Sequence, residues 1–347
     1  MADSKAHKIP KDADDALKII KTKYGDGSIL CGDMVVKNID SISTGSLALD
    51  IAIGIGGFPR GRLCEIFGAE GCGKTTITLE AIAQAQQAGG KAAFIDVEHA
   101  LDFQYAQKLG VDVQSLMISQ PDSAEEALNI MEILCQSRSV DIVVLDSVAA
   151  LVPQAELDGE MGDHHMGLQP KLMSQALRKI KGVVNTSKTC ALFINQLRQK
   201  MGISFGSPDV TPGGKALKYY ATVRVDMRRI GAVKDGSNED PTGHKVRAKV
   251  IKNKVAPPFR IAEFEITYDG RGVNKEKEIL DIGAKCGVLD KSGSWYSYGE
   301  NKLGNGMVAC GEFLQENPGL MAEIKHKILD LKLPHRREQD EHTEVAG

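Results

Sequence analysis

The sequence predicts an α/β protein with a mostly parallel central sheet flanked by helices. From about residue 36 to residue 270, short apolar runs alternate with stretches of helical periodicity. This alternation favours parallel strands, because a helix between two strands returns the chain to the same edge of the sheet. The apolar runs are continuous, which is typical of strands buried on both faces. The third observation is a glycine-rich turn between the first of these strands and the helix that follows it.

The elements of this core follow from the residue pattern. The predicted buried strands are Leu63–Phe67, Ala92–Ile95, Leu116–Ser119, Ile142–Leu145 and Ala191–Ile194. The predicted helices between these strands are Thr75–Ala88, Ala124–Cys135 and Lys171–Val184. Three further strands, which follow one another without a long helix and extend the sheet in a partly antiparallel way, are Val223–Met227, Val246–Ile251 and Ile261–Ile266.

The core is predicted to span residues 36–272, and three other regions lie outside it. Residues 1–35 are predicted to form a short N-terminal helical segment that ends at a glycine-rich breaker. Residues 273–333 are predicted to form a small C-terminal α+β domain, and residues 334–347 a polar, disordered tail. The predicted elements of the C-terminal domain are a helix at Lys275–Lys285, a strand at Trp295–Tyr298, and helices at Met307–Glu316 and Leu320–Leu331.

Composition and charge exclude several classes of protein. The formal net charge of −3 means that any nucleic-acid binding depends on a local basic patch and not on the whole surface. No apolar run approaches the roughly 20 residues that cross a bilayer, and the first residues lack the apolar core of a signal peptide. The cysteines are scattered and never in C-x-x-C spacing, which favours free thiols over disulfides or zinc ligands. These features predict a cytoplasmic protein without a membrane partner.

The glycine-rich turn has the spacing G-x-x-x-x-G-K-[ST], in the strand-to-helix context that this motif requires. Its glycines allow backbone N–H groups to surround phosphate oxygens, and the helix N-terminus adds partial positive charge. Lys74 is expected to reach the β- and γ-phosphates, and the Thr75 hydroxyl is expected to bind Mg²⁺. The predicted nucleotide-binding residues of this motif are Gly68, Ala69, Glu70, Gly71, Cys72, Gly73, Lys74, Thr75 and Thr76.

Two acidic residues at strand ends are candidates for the chemistry of this site. Asp146 closes the strand Ile142–Leu145 and is the predicted second Mg²⁺ ligand, although an aspartate at such a position is often only a turn former. Glu98 follows the strand Ala92–Ile95 and is the candidate base that takes a proton from the attacking water. From spacing alone, a solvated loop acid is an equally good interpretation of Glu98.

Cys72, within the glycine-rich turn, is a candidate reactive thiol. The helix N-terminus and the nearby ammonium group of Lys74 both stabilise a thiolate. Burial has the opposite effect, because it raises the pKa of a thiol and hides the sulfur from reagents. The sequence leaves both outcomes open for Cys72.

Several other segments complete a recognisable set of motifs. They are Ser43–Asp50, Asp96–Asp102, Leu145–Leu151, Gly162–Gly167, Phe193–Arg198, Pro212–Tyr220 and Lys252–Lys254. Together with the glycine-rich turn, this set resembles the RecA family of bacterial recombinases over residues 15–330. The resemblance implies a RecA-type P-loop ATPase that uses ATP and Mg²⁺, forms a helical filament on single-stranded DNA, and exchanges strands with homologous duplex DNA. It also implies that the filament stimulates self-cleavage of a LexA-type repressor in the SOS response.

The resemblance implies roles at the nucleotide site that spacing cannot show. Glu98 is similar to the family's catalytic glutamate, with Lys74 and Gln196 as the other catalytic positions. Gln196 resembles the residue that senses the γ-phosphate and passes its state to the following loop. Asp102 and Tyr105 resemble the adenine contacts. The chain differs from the usual family pattern at Cys72, where serine is common, and in the residue after Asp102, where proline is common.

The resemblance also implies contacts beyond one subunit. Lys252 and Lys254 look like the pair that reaches ATP bound to the neighbouring subunit, and residues 1–35 look like an oligomerisation segment. Residues 158–167 and 197–213 look like the two DNA-binding loops. The positions similar to the family's DNA contacts are Met166, Lys171, Ser174, Arg178, Arg198, Lys200, Gly213 and Gly214. Without the family context, the same basic residues would be interpreted as a surface loop and a solvated helix face.

Two other functions are compatible with an ATPase core of this kind. A hexameric DNA helicase has a similar core but is expected to carry a large additional domain, for which the chain has little room. A nucleotide-gated scaffold would bind ATP and polymerise without DNA-stimulated hydrolysis. The rate of ATP hydrolysis with and without single-stranded DNA, together with particle shape, distinguishes these functions from a recombinase.

Overall fold

The first structural unit is a short capped helix. The computed structural model describes residues 10–29, 39–160, 167–199, 209–234 and 240–333. By its contacts the chain divides into two units, one ending at Ile39 and the other beginning at Asp40. In the first unit, helix α1 spans Ala13–Tyr24. Asp12 caps its N-terminus by accepting a 2.8 Å hydrogen bond from the backbone N–H of Asp15.

The second unit contains all the other elements. Its described strands, in chain order, are β1 Ser41–Ile42, β2 Phe58–Pro59, β3 Leu63–Gly68, β4 Ala92–Asp96, β5 Met117–Ser119, β6 Ile142–Asp146, β7 Cys190–Gln196, β8 Arg198–Gln199, β9 Asp209–Val210, β10 Val223–Val233, β11 Gly243–Asn253, β12 Ile261–Thr267, β13 Gly272–Val273, β14 Asp290–Ser292, β15 Trp295–Tyr298 and β16 Asn301–Asn305. Its described α-helices are α2 Leu47–Ile53, α3 Lys74–Gln87, α4 Phe103–Lys108, α5 Ala124–Gln136, α6 Gln154–Leu157, α7 Leu168–Ser187, α8 Ala216–Tyr220, α9 Lys275–Cys286, α10 Met307–Glu316 and α11 Pro318–Lys332.

The main sheet is largely parallel. Within the described residues its strand order is β13-β12-β11-β10-β3-β7-β6-β4-β5. The strands from β10 to β5 pair in parallel, because helices carry the chain back between them. β10, β11 and β12 follow one another without a long helix, and β11, β12 and β13 join the sheet antiparallel. The predicted α/β fold with a mostly parallel sheet is therefore confirmed.

β10 is longer than the sequence predicts. The prediction ended at Met227, where the continuous apolar run stops, but the strand continues to Val233. Beyond Met227 the strand has left its parallel partner β3 and pairs only with β11. Its side chains there are mostly exposed, so an apolar run is not required to form that part of the strand.

Helices cover both faces of the parallel strands. Successive residues of one strand contribute to different apolar clusters, as the alternation of side chains along a strand requires. Val144 of β6 packs in the cluster that contains Ile77 of α3. The preceding residue Val143 packs in the cluster that contains Met131 of α5 and Leu177 of α7. This double coverage fixes the sheet, so that its strand ends form a rigid edge for the polar residues that follow them.

The C-terminal part of the second unit has its own apolar cluster. Strands β14, β15 and β16 form a three-stranded antiparallel sheet, and α9, α10 and α11 pack against it. Glu278 of α9 binds the N-terminus of α2, where its carboxylate accepts hydrogen bonds from the N–H groups of Leu47 (2.9 Å) and Ala48 (3.2 Å). None of the described helices is both long and apolar enough to cross a membrane.

Candidate nucleotide and DNA site

The glycine-rich turn joins β3 to α3 at the carboxyl edge of the sheet. Its glycines are structurally required, because a Cβ at Gly68 would lie 2.2 Å from the carbonyl oxygen of Met227 and one at Gly73 would lie 2.2 Å from Ile266. Gly73 also has a φ of 91°, which places it in the left-handed region at the start of α3. The Lys74 ammonium group donates to the backbone carbonyl of Gly68 at 3.2 Å and to the next carbonyl at 2.8 Å.

The predicted metal ligands lie together beside this turn. The Thr75 hydroxyl donates to Asp146 Oδ2 at 2.9 Å. Burial raises the pKa of Asp146 to about 6, while the hydrogen bond from Thr75 and the charge of Lys74 act in the opposite direction. A hydroxyl oxygen and a carboxylate are the hard oxygen ligands that Mg²⁺ takes in proteins. The residues present therefore fit this cation.

Glu98 is exposed but is held by two side chains. The hydroxyl of Ser147 and the side-chain N–H of Gln196 both donate to Glu98 Oε1, the second over 2.9 Å. Glu98 and Ser147 come together because β4 and β6 are adjacent, and Gln196 ends the next strand, β7. The structure therefore does not agree with a freely solvated loop acid at this position.

The turn opens onto a cavity of about 410 Å³. Tyr105 of α4 lines it, and its hydroxyl lies 2.9 Å from the Thr76 hydroxyl. Asp102 is not among the lining residues, and its carboxylate instead caps α4 through the N–H of Tyr105 at 3.0 Å. The adenine role predicted for these two residues remains a prediction.

Sequence reasoning missed the polar and aromatic residues on one side of the cavity wall. They are His244 of β11, Thr267 of β12 and Tyr268. They reach the cavity because β10 places β11 and β12 on the far side of β3 from the rest of the parallel strands. The only signal in the sequence is a polar or aromatic residue at the end of a strand, which does not show which strands are neighbours.

Cys72 is not the exposed reactive thiol that its position in the turn suggested. The side chain is 1% exposed and packs in the apolar cluster on the α3 side of the sheet. Burial raises the pKa of this thiol, and the opposing effect of the Lys74 charge is smaller. Of the two outcomes that the sequence left open, the structure has the buried one, because the side chain is directed into the domain while the backbone of the turn faces the cavity.

The predicted DNA-binding positions that the structure describes lie on α7, directly after β7, and in the Gly213–Gly214 turn. Gly213 and Gly214 have φ angles of 81° and 76° and pack against the start of α7, where the N–H of Gly213 donates to Gln169 Oε1 at 3.2 Å. Arg198 is exposed and pairs with Val210 in a two-stranded ladder. Met166 and Lys200 lie outside the described residues, as do most of residues 158–167 and 197–213.

One face of α7 is basic and exposed. Lys171 and Arg178 are exposed, and the helix contains no acidic residue. In the described part of the chain, neither residue forms an ion pair with a carboxylate. Ser174 lies between them, and its hydroxyl donates to the carbonyl of Pro170 at 2.8 Å. The two cations are therefore available to an external anion.

Comparison with known proteins identifies the family. Residues 11–274 match the model of the RecA N-terminal domain, and residues 277–332 match that of the RecA C-terminal domain. Protein RecA of Bacillus pumilus is 56% identical over 316 residues, which cover 91% of this chain and 90% of the relative. Protein RecA of Clostridium acetobutylicum is 52% identical over 337 residues, which cover 96% of each chain. The chain belongs to the RecA family.

RecA-family membership confirms the predicted function class. RecA proteins are DNA-dependent ATPases of homologous recombination and repair, which use ATP with Mg²⁺ and form filaments on DNA. The recombinase is therefore favoured over the hexameric helicase and over the nucleotide-gated scaffold. The assignment agrees with the side-chain oxygens of Thr75 and Asp146, which fit Mg²⁺, and with the glycine-rich turn before α3.

The two lysines that the RecA resemblance singles out lie away from the cavity. The Lys252 ammonium group donates to the carbonyls of Lys218 at 2.5 Å and Tyr219 at 2.9 Å, at the end of α8. Burial, followed by the charge of Lys254, lowers the pKa of Lys252 to about 8. β11 ends at Asn253, so Lys252 lies on this strand and Lys254 directly follows it. Lys254 is exposed, and neither lysine lines the cavity of its own subunit.

Proposed function

We propose that this chain couples ATP hydrolysis to DNA binding through Gln196. The observation that carries the proposal is the 2.9 Å hydrogen bond from Gln196 Nε2 to Glu98 Oε1. Gln196 is also the last residue of β7, directly before the predicted DNA loop at 197–213. One side chain therefore lies beside the proposed catalytic base and at the start of the segment proposed to bind DNA.

The nucleotide-binding residues divide the chemistry among them. The backbone N–H groups of the turn bind phosphate oxygens, and Lys74 exchanges its carbonyl acceptors for phosphate oxygens when ATP enters. Glu98 takes a proton from the attacking water, and Ser147 holds its carboxylate in place. When bound at Thr75 and Asp146, Mg²⁺ supplies positive charge that offsets the charge of the phosphates. Asp102 and Tyr105 are proposed to contact adenine.

Both ends of the proposed DNA loop are attached to the end of β7. The N–H of Leu197 donates to the carbonyl of Gly68 at 3.2 Å, which links the start of the loop to the phosphate-binding turn. Asn195 donates to the carbonyl of Pro212 at 3.2 Å, which links the other end. A change of partner at Gln196, from Glu98 to the γ-phosphate, therefore acts on both ends of one loop. Such a nucleotide-dependent rearrangement of a segment is a known type of switch.

The proposed DNA contacts combine charge with close backbone approach. Exposed arginine and lysine side chains bind phosphates without sequence preference, and glycines allow the backbone to approach a strand. The basic face of α7, free of acidic residues, supports this role. The positions proposed to contact DNA are Met166, Lys171, Ser174, Arg178, Arg198, Lys200, Gly213 and Gly214.

Filament formation completes the proposed mechanism. Lys252 and Lys254 are proposed to reach ATP on the neighbouring subunit, and residues 1–35 are proposed to contact that subunit. The finding that supports the lysine proposal is that neither residue lines the cavity of its own chain. Residues 36–272, 273–333 and 334–347 are proposed to be the ATPase core, a C-terminal domain and a tail. We also propose a cytoplasmic location and stimulation of LexA-type repressor self-cleavage by the filament.

The test compares wild-type protein with Gln196→Ala, and uses Gln315→Ala, an exposed glutamine on α10, as the matched control. ATP hydrolysis is measured with and without single-stranded DNA, and particles are viewed by negative stain. Wild-type and control proteins should show DNA-stimulated hydrolysis and filaments. Gln196→Ala should bind ATP but show DNA affinity that no longer depends on the nucleotide. Nucleotide-dependent DNA affinity in Gln196→Ala would contradict the coupling, and ring-shaped wild-type particles would favour a helicase.

A further inference from the structure

His244 is a buried histidine in the wall of the nucleotide cavity. It lies on β11, opposite Ile266 of β12, and its side chain is 4% exposed. Both ring nitrogens are buried, and no residue in the described ranges supplies a hydrogen-bond partner of normal geometry to either of them. Burial lowers the pKa of His244, and Arg229 acts in the same direction, while the backbone of Cys72 acts in the opposite one. The ring is therefore neutral at pH 7 and carries one N–H donor and one acceptor.

Unpaired nitrogens in this position call for a physical explanation. A buried polar group without a partner destabilises the folded protein, and most buried polar atoms in proteins are hydrogen-bonded. The nitrogens of His244 are shielded from solvent, so surface water does not satisfy them directly. Apart from the interaction with the backbone of Cys72, no hydrogen bond of normal geometry holds the ring, so its rotation toward the cavity breaks none of that kind. A molecule that enters the cavity would supply the missing partner.

The position of the ring indicates which part of a nucleotide it meets. His244 Nε2 lies 3.8 Å from the point where a Cβ would stand on Gly73, the residue directly before α3. The ring centroid lies 5.5 Å from that of Tyr268, which also lines the cavity. The ring is thus a neighbour of the turn whose N–H groups are proposed to bind phosphate. Phosphate oxygens are acceptors, and a hydrogen bond to a charged oxygen is stronger than one to a neutral oxygen.

We propose that His244 is a nucleotide-binding residue whose ring N–H donates a hydrogen bond to an oxygen of the bound phosphate chain. The inference rests on the proposed nucleotide function of the cavity, and it adds a phosphate contact that comes from β11 and not from the phosphate-binding turn. It also connects the nucleotide to the antiparallel part of the sheet. Because β11 continues to Lys252, nucleotide binding at His244 acts on the strand that carries the proposed trans-subunit lysine.

The experiment measures the affinity of two probes, ADP with Mg²⁺ and pyrophosphate with Mg²⁺, by calorimetric titration. His244→Phe keeps the ring volume but removes the donor, and His244→Asn keeps a side-chain N–H. Loss of a hydrogen bond to a charged group reduces affinity by about tenfold or more. We expect that loss for both probes in His244→Phe, and a much smaller loss in His244→Asn.

Thermal unfolding without nucleotide separates ligand binding from a structural role. Because the nitrogens have no partner in the protein alone, His244→Phe should not lower the Tm of the nucleotide-free protein. A lower Tm together with unchanged ADP affinity would assign His244 to structure and overturn the proposal. Weaker ADP binding with unchanged pyrophosphate binding would place the contact on the nucleoside, which also overturns it. If wild-type protein binds neither probe, the proposed nucleotide function fails, and Lys74→Ala provides the reference for a protein without phosphate binding.

Discussion

Two lysines near opposite ends of the strands in the main sheet form similar hydrogen bonds but lie among different charges. Each donates to the carbonyls of two consecutive residues, in the phosphate-binding turn for Lys74 and at the end of α8 for Lys252. The charge of Lys74 acts to lower the pKa of Asp146, although burial raises that pKa overall. Lys252 has cations beside it, since Lys254 and Arg224 both contribute to its lowered pKa.

This difference agrees with the proposal that one site is shared between subunits. The positive charge of Lys74 has carboxylates in the same cavity, so the cavity contains both signs of charge within one chain. Near Lys252 the acidic residue that acts on it, Glu65, is already paired with Arg224. The edge around Lys252 therefore has unbalanced positive charge, which attracts an anion from outside the subunit. The predictions below test this contrast, beginning with the largest expected effect.

Glu98→Gln should retain binding of ATP and DNA but lose most hydrolysis, because an amide cannot take the proton of the attacking water. Loss of a general base reduces a rate by about 10²–10⁴-fold. Single-turnover hydrolysis on DNA measures the effect, with Glu316→Gln, an exposed acid on α10, as the control. Near-normal turnover in the Glu98 variant would remove this residue from the mechanism.

Changing both Lys252 and Lys254 to alanine should abolish the DNA-stimulated part of hydrolysis and spare nucleotide binding by single subunits. The reason is that the two residues lie outside the cavity of their own chain. The comparison uses ATP binding at concentrations too low for assembly and hydrolysis on saturating DNA. A double variant that hydrolyses ATP on DNA at the parental rate would contradict the proposal that these lysines act on ATP bound to the neighbouring subunit.

The charge of Lys252 also predicts a pH dependence. Since its pKa in the single subunit is lowered to about 8, the side chain is charged below that pH and loses its charge as pH rises through 8. Assembly, which begins from single subunits, should therefore weaken over this range. Lys252→Arg remains charged, so its assembly measured by light scattering should stay constant to higher pH. A parallel loss in both proteins would assign the pH dependence to another group.

Arg198→Ala should weaken DNA binding by a modest amount and reduce its salt dependence. A direct phosphate contact on a single strand contributes about 0.7 to the slope of log affinity against log salt concentration. Fluorescence anisotropy with a labelled oligonucleotide, over a series of salt concentrations, gives this slope. Affinity and slope that both match those of wild-type protein would make Arg198 an ordinary surface residue.

The sequence predicts the polar residues at the carboxyl edge of the sheet well, because these residues directly follow the predicted strands. Glu98 and Asp146 each follow a buried parallel strand, and parallel strands bring their carboxyl ends to one edge. Asp146 and Thr75 do lie within hydrogen-bond distance. The same reasoning could not find His244, because its place in the cavity depends on the order of β10, β11 and β12 beside β3. Strand order across antiparallel connections is set by tertiary packing and leaves no local pattern.

Side-chain direction is the second property that the sequence does not determine. The sequence correctly places Cys72 in the glycine-rich turn, but it does not show the surroundings of this side chain or those of Lys252. The Cys72 side chain enters the apolar cluster, and the Lys252 ammonium group meets the end of α8. The local sequence indicates even less about the positions in the proposed DNA loops, which are predicted only through the family resemblance.

The smallest predicted effect concerns Cys72 and tests how far the charge of Lys74 extends. Burial raises the pKa of the Cys72 thiol more than the charge of Lys74 lowers it, so this charge does not activate the buried thiol. Limited alkylation at neutral pH with mass-spectrometric mapping should therefore label the partly exposed Cys286 before Cys72. ATP with Mg²⁺ should change the labelling of Cys72 little, because the thiol is already inaccessible, and protein unfolded in urea provides full labelling as the reference. Early, nucleotide-sensitive labelling of Cys72 would instead show that the turn opens in solution, and the Lys74 charge would then act on both sides of it.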